Sequence, residues 1–173
     1  MGLGELWYGY MSSGIVPFVI DIEASGFGPQ GYPIEVGVAL QPGKRFSSLV
    51  KPLPQWNDWN TEAANVHGIT QQTLLAHGRP VDWVAAKLND LLRNCTVYTD
   101  AWVVDKPWLG MLFYAAGVAM EFDISPIERL LSDEQLANWD ATKQQVLLDL
   151  PAQRHRASHD AWIIQETICR CFT

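Results

Sequence analysis

The chain enters its patterned region through a near-continuous apolar run, "VPFVIDIE" from Val16, the signature of a strand buried on both faces. Val16 to Glu23 therefore predicts a first strand, and the Gly- and Pro-rich "GFGPQGY" predicts the turn after it. "PIEVGVALQ", Pro33 to Gln41, predicts a second strand, and "PGK" turns the chain into a third across "RFSSLVKP". Three strands joined by short turns form an antiparallel meander. Beyond residue 69 the period lengthens. "ITQQTLLAHG" offers Thr70 to cap a helix and Gly78 to stop it. Pro80 then opens a helix whose Val81, Val84, Ala85, Leu88, Leu91 and Leu92 form one apolar face. "TVYTD", Thr96 to Asp100, is a short strand. The next helix is expected from Asp105, with Pro107 in its first turn and Gly117 at its end. "AMEFDIS" is a last strand. Ser132 and Gln135 make a capping box for a helix running to about Leu150. A final helix is expected near Asp160, with Ala161, Ile164, Ile168 and Phe172 on one stripe. The order β-β-β-α-α-β-α-β-α-α predicts an α/β architecture around a mixed sheet.

With 173 residues the chain is expected to form one domain over 15–173, preceded by a Gly-rich flexible tail over 1–14 in which Met11 is an alternative start. No apolar stretch is long enough to span a membrane. Three cysteines, an odd number, favour reduced thiols and a cytoplasmic setting. Cys169 and Cys171 have no second pair at zinc spacing and read as helix residues. The net charge of −7, from 12 Lys and Arg against 19 Asp and Glu, argues against a protein that coats long duplexes. It leaves room for one that grips a strand end through metal ions.

The first strand carries the chemistry. Alternation places Val19, Asp21 and Glu23 on one face and Phe18, Ile20 and Ile22 on the other. Two neighbouring carboxylates in a buried strand repel each other, and burying either one unpaired costs several kcal/mol. Either the strand ends at Ile20 and both are solvated, or a cation lies between them. Hard divalent ions such as Mg²⁺ take one or two carboxylates with water and phosphate oxygens. "YTDAWVVDKPWL" supplies Asp100 and Asp105, and "RHRASHDAW" supplies His155 and Asp160. Taken singly, Asp105 and Asp160 also read as helix caps, and His155 and His159 as surface histidines.

In combination these stretches resemble the DEDDh family of 3′–5′ exonucleases, which includes a polymerase proofreading subunit, ribonuclease T and oligoribonuclease. Asp21 and Glu23 match the family's Asp-x-Glu motif. Asp105 with Trp108-Leu109 matches the second motif, and His155, Ala157, Asp160 and Ala161 match His-x-Ala-x-x-Asp-Ala in full. "PIEVGVA" and "NVHGIT" resemble the family's second strand and its "VHGI" turn. "TDAWVVD" departs from the family in lacking the usual Asn before the second Asp, which leaves Asp100 a rival to Asp105.

The resemblance implies a ribonuclease H-like fold: a five-stranded mixed sheet, its first three strands antiparallel, flanked by helices. It implies hydrolysis of phosphodiesters by two divalent ions, Mg²⁺ or Mn²⁺, about 3.5–4 Å apart. Asp21, Glu23, Asp105 and Asp160 would hold the ions, and two of them would shift the charge from −7 to about −3. His155 would be the general base, since imidazole titrates near neutral pH; His159 is the wrong choice by motif position. Ala24, Ser25, Phe27, His67 and Ile69 would meet the terminal nucleotide, Phe27 by stacking on its base, although Phe27 also reads as a turn residue packed under the sheet edge. Arg154, Arg156 and Lys106 are candidates for phosphate contacts or for solvated charges. The implied partner is the 3′ end of single-stranded DNA or RNA, with nucleoside 5′-monophosphates as products. Trimming of short RNA is the alternative within the family. Several relatives work as dimers, so a homodimer is one option, and others bind a polymerase. Trp56 and Trp59 in "PQWNDWN" are expected to be exposed, either as marks of an interface or as single surface aromatics that need no explanation. Two rivals stand outside the activity: an accessory binding module on the same fold, and a carboxylate-pair glycosidase, for which the histidine motif has no use.

Overall fold

The computed structural model describes residues 16–150 and 155–172; the expected tail over 1–14 and Arg154 lie outside them. Five strands, β1 (Phe18–Ala24), β2 (Pro33–Ala39), β3 (Arg45–Leu49), β4 (Thr96–Thr99) and β5 (Asp123–Pro126), form one sheet in the order β3-β2-β1-β4-β5. The first three pair antiparallel, while β4 joins β1 and β5 joins β4 in parallel. The parallel joins require crossovers, and helices supply them. Among the described residues the helices are α1 (Thr61–His67), α2 (Gln71–His77), α3 (Val81–Leu92), α4 (Trp102–Ala116), α5 (Asp133–Ala137), α6 (Trp139–Asp149) and α7 (Ala157–Cys171), with a 3₁₀ turn at Ile127–Arg129.

The alternation along β1 divides the core. Ile20 and Ile22 pack with Val36 and Val38 against Val84 and Leu88 of α3 and Leu109 and Leu112 of α4. Val19 and Ala39 face the other way, onto Ala161, Ile164 and Ile168 of α7, with Trp139 beside them. Asp21 and Glu23 therefore point to the α7 side. Opposite them on β2 stand Gly37 and Glu35, and the register shifts directly after Glu23. Such an irregularity ends regular pairing and re-aims the chain, as bulges beside active sites do.

Several expected boundaries need correction. Helix α1 lies where only a turn was expected. Asn60 caps it by accepting the Ala63 N–H at 2.9 Å, and Gly68 closes it in the left-handed conformation at φ 68°. Helix α4 begins three residues before Asp105, so Pro107 lies inside it and Asp105 is not its cap; the cap position is Ala101, whose carbonyl accepts the Asp105 N–H at 3.0 Å. The segment expected as one helix to Leu150 is two, parted at Asn138. Its Nδ2 turns back to the Glu134 carbonyl, while Ser132 and Gln135 form the expected capping box. Helix α7 likewise begins at Ala157, three residues early. Trp56 and Trp59 are half-buried rather than exposed. Trp56 stacks on Tyr32 with centroids 5.5 Å apart, and both tryptophans pack against the cluster of Tyr32, Ile34, Ile69 and Leu74.

Candidate active site

The site forms where the C-terminal half of β1 meets the starts of α4 and α7. Asp21 and Glu23 come from β1, which needs no more than strand alternation to aim both the same way. Asp105, one turn into α4, is buried at 1% exposure and accepts a hydrogen bond from the Thr99 hydroxyl at the end of β4. Thr99 also accepts the Ala101 N–H at 3.0 Å, so the strand end and the helix start are tied through one side chain. Asp160, in the first turn of α7, accepts the His155 N–H at 2.8 Å. That bond helps hold His155 in the left-handed region at φ 59°, where a residue with a Cβ persists only when its surroundings demand it.

Ligand atoms of Glu23, His155 and Asp160 all lie within 4.8 Å of one another. Electrostatics joins the other two acids to them. Burial pushes the Asp21 carboxyl well above its ordinary range, and Asp105, Glu23, Asp160 and Asp100 push it further. Glu23 rises from 4.5 to about 7, by burial first and then by Asp160, Glu35 and Asp105. Asp105 rises from 3.8 to about 7, by burial and then Asp100, against the lowering effect of its Thr99 bond. Carboxylates that raise one another in this way are stabilised in their charged form by a positive charge placed among them. The donor set, carboxylate oxygens with one imidazole, suits a hard divalent ion.

The rival Asp100 is engaged elsewhere, in an ion pair with Lys143 of α6. Its charge still reaches Asp21 and Asp105. Arg156, expected to contact phosphate or to be solvated, is committed to Glu35 through a two-pronged contact whose shortest arm is 2.7 Å. Lys106 lies over the Trp102 ring, 4.6 Å from its centroid. His159 has a buried Nδ1 without a hydrogen-bond partner among the described residues.

Beside Glu23 a small cavity of about 70 Å³ is lined by Ala24, Phe27, Val66, His67 and Trp108. Phe27 is 67% exposed at its rim, so it is not packed under the sheet edge. His67 is buried. Its Nδ1 accepts the Ile69 N–H at 3.0 Å, which puts the ring proton on Nε2, and that atom has no partner among the described residues. Burial holds its pKa below the usual histidine value. Two expected contact residues are turned into the fold. Ser25 is fully buried, and its hydroxyl accepts the Tyr32 N–H at 3.0 Å. Ile69 is core, packed with Tyr32, Ile34 and Leu74. Sequence reasoning did not single out Glu35, Lys143 or Val66, and it read Trp108 only as part of a motif. The one signal for Glu35 was a charged residue in an otherwise apolar second strand.

No protein-family model and no curated protein matches the chain. Solved structures do. E. coli exonuclease I in complex with a dT13 oligonucleotide aligns with a TM-score of 0.67 at 15% identity, over 90% of this chain and 40% of that one. Exonuclease I from Methylocaldum szegediense aligns at 0.64 and 14% identity, over 89% and 39%. The zinc-bound E. coli exonuclease I complex with single-stranded DNA aligns at 0.61 and 15% identity, over 88% and 38%. The chain thus has the α/β fold of these exonucleases and spans about two-fifths of their length.

Proposed function

We propose that the chain is a metal-dependent 3′–5′ exonuclease of the DEDDh type, removing nucleoside 5′-monophosphates from the 3′ end of single-stranded nucleic acid. The observation that carries this reading is the convergence of Asp21, Glu23, Asp105 and Asp160, each a member of one charge-coupled cluster, with the imidazole of His155 beside Glu23 and Asp160. An accessory module would have no reason to keep mutually destabilising carboxylates in a buried strand. A carboxylate-pair glycosidase would leave His155 and two of the acids without a task. The shared fold, and the single-stranded DNA held by the similar structures, support the same reading.

Asp21, Glu23, Asp105 and Asp160 would hold two divalent ions, Mg²⁺ or Mn²⁺. When bound, these ions lower the pKa of water and neutralise charge on the phosphate. His155 takes the proton of the attacking water as its oxygen bonds to phosphorus. The bond to the upstream O3′ breaks, that oxygen takes a proton from solvent water as it leaves, and His155 returns its own proton to solvent. Phe27 at the cavity rim stacks on the terminal base, a contact that accepts any base. Ala24, His67 and Trp108 line the space beneath, and the Nε2–H of His67 offers the terminal nucleotide a hydrogen bond. Three unpaired cysteines fit a reducing, cytoplasmic setting.

The test is digestion of 5′-labelled single-stranded DNA and RNA of one sequence with Mg²⁺ or Mn²⁺. A ladder shortening from the 3′ end, abolished by EDTA and by Asp21→Ala, is expected. The ratio of the two rates assigns the polymer, and preferential digestion of the shortest RNAs would point to the trimming role. Intact strands with well-folded protein would overturn the reading.

A further inference from the structure

Glu35 is a charged side chain in a strand that is otherwise Pro33, Ile34, Val36, Gly37, Val38 and Ala39, and it is 1% exposed. It stands directly opposite Glu23 in the β1–β2 register, so one carboxylate is buried beside another. An aliphatic side chain would fill that position at less cost, unless the carboxylate does something the fold alone does not require. Its hydrogen bonds among the described residues all go to one place. Oε1 accepts from Arg156 Nη2 at 2.7 Å and Nε at 3.3 Å; Oε2 accepts from Nε at 3.0 Å and from the Ala157 N–H at 3.1 Å. Glu35 thus binds the two residues that follow His155.

We propose that Glu35 is a positioning residue: through the Arg156 guanidinium and the Ala157 N–H it holds the turn that aims His155 at the carboxylate cluster. The proposal rests on the exonuclease reading, in which His155 is the base. Two anchors fix that turn from opposite sides. Asp160 accepts the His155 N–H at 2.8 Å from within the helix, and Glu35 grips the chain immediately after His155 from the sheet. Between them His155 keeps its φ of 59°, a conformation that relaxes where one anchor is lost. The planar fork of Arg156 sets an orientation as well as a distance, which a lysine ammonium cannot do. Asp160 itself depends less on this clamp, because its helix is seated by Ala161, Ile164 and Ile168 on the core.

The experiment is a kinetic cycle on the full chain with Glu35→Gln, His155→Asn and the double variant, on a 5′-labelled single strand with saturating Mn²⁺. Glu35→Gln is expected to lower kcat by about 10- to 100-fold with KM within about twofold, because it misplaces the base without touching the nucleotide. In the His155→Asn background the same change is expected to move kcat by less than about twofold, since the group it positions is gone. An equal loss in both backgrounds, or no loss in the wild type, would overturn the proposal. Arg156→Lys repeats the cycle and decides alone should Glu35→Gln fail to fold. Mn²⁺ affinity by calorimetry is expected to stay within about threefold in either variant, which separates loss of the base's orientation from loss of the metal site.

Should the wild type cleave nothing, the exonuclease reading falls, and amide exchange still judges the clamp. Glu35→Gln is then expected to speed exchange at His155 and Ala157 by about tenfold or more while leaving Ile164 and Ile168 unchanged. Unchanged exchange at Ala157 would refute the clamp itself.

Discussion

Gly37 lies directly across the β1–β2 ladder from Asp21, and the space its side chain would fill holds the backbone of Ala157. A Cβ built there falls 2.0 Å from the Ala157 carbonyl carbon and 2.1 Å from the Ser158 nitrogen. The missing side chain lets the N-terminus of α7 descend onto the strand that carries Asp21. Asp160 and His155 reach Glu23 for that reason.

Gly37→Ala should therefore lift the start of α7 off the sheet. The expected cost is about 1–3 kcal/mol of stability, read as a lower urea midpoint with an unchanged slope. Loss of divalent-ion affinity should accompany it. A variant with wild-type stability and affinity would show that the close approach is dispensable.

The raised carboxylates make stability depend on pH in a definite direction. Glu23 and Asp105 titrate near 7 in the folded chain against 4.5 and 3.8 ordinarily, so between those limits the folded state binds more protons than the unfolded state. Their stabilising protonation is complete below about pH 4 and is lost as pH rises through about 7. With metal chelated, this cluster lowers stability from pH 5 to pH 8. Asp21→Asn removes one of the repelling charges and should raise the melting temperature of the chelated protein at pH 8 while abolishing cleavage. Melting at pH 5 and pH 8 with EDTA, for wild type and variant, checks both signs.

His155→Asn separates the proposed base from its turn. Asparagine tolerates the left-handed conformation at φ 59°, so stability should remain within about 0.5 kcal/mol. Turnover should fall by about 10²–10⁴-fold, the usual contribution of a general base. Single-turnover rates at saturating metal give the measurement. Retained turnover would move the role to another group.

Phe27→Ala should act on binding alone. The ring is 67% exposed, so its removal leaves the core intact, while loss of stacking on a base should weaken substrate by about 1–3 kcal/mol. An increase in KM with little change in melting temperature is expected from parallel kinetics and calorimetry.

Much of this architecture was legible because it follows from short-range rules. The alternation in β1, the Thr70 and Gly78 limits of α2 and the apolar face of α3 all stand where the pattern placed them. The starts of α4 and α7 were harder. Ala101 and Arg156 make no side-chain cap, so no local signal marks either helix start, and the acids one turn later looked like caps themselves. Asn60 and Gly68 did mark α1, but the residues between them lack a clear apolar stripe. At the candidate site, the acids and His155 could be named from their order along the chain. Their partners could not. Glu35 meets Arg156 across 121 positions, and Lys143 meets Asp100 across 43, separations that only the folded chain closes. Ser25 and Ile69 show the opposite case, lying within two residues of cavity-lining Ala24 and His67 in sequence yet turned inward.

Holding divalent ions is the proposed task of this carboxylate cluster. Titration calorimetry of Mn²⁺ into the protein at pH 7, in buffers of different ionisation enthalpy, tests it most directly. Binding with release of protons, since Glu23 and Asp105 titrate near that pH, and its loss in Asp21→Asn, is the predicted result. A folded protein that takes up no Mn²⁺, or takes it up equally well with Asn at position 21, would contradict the account.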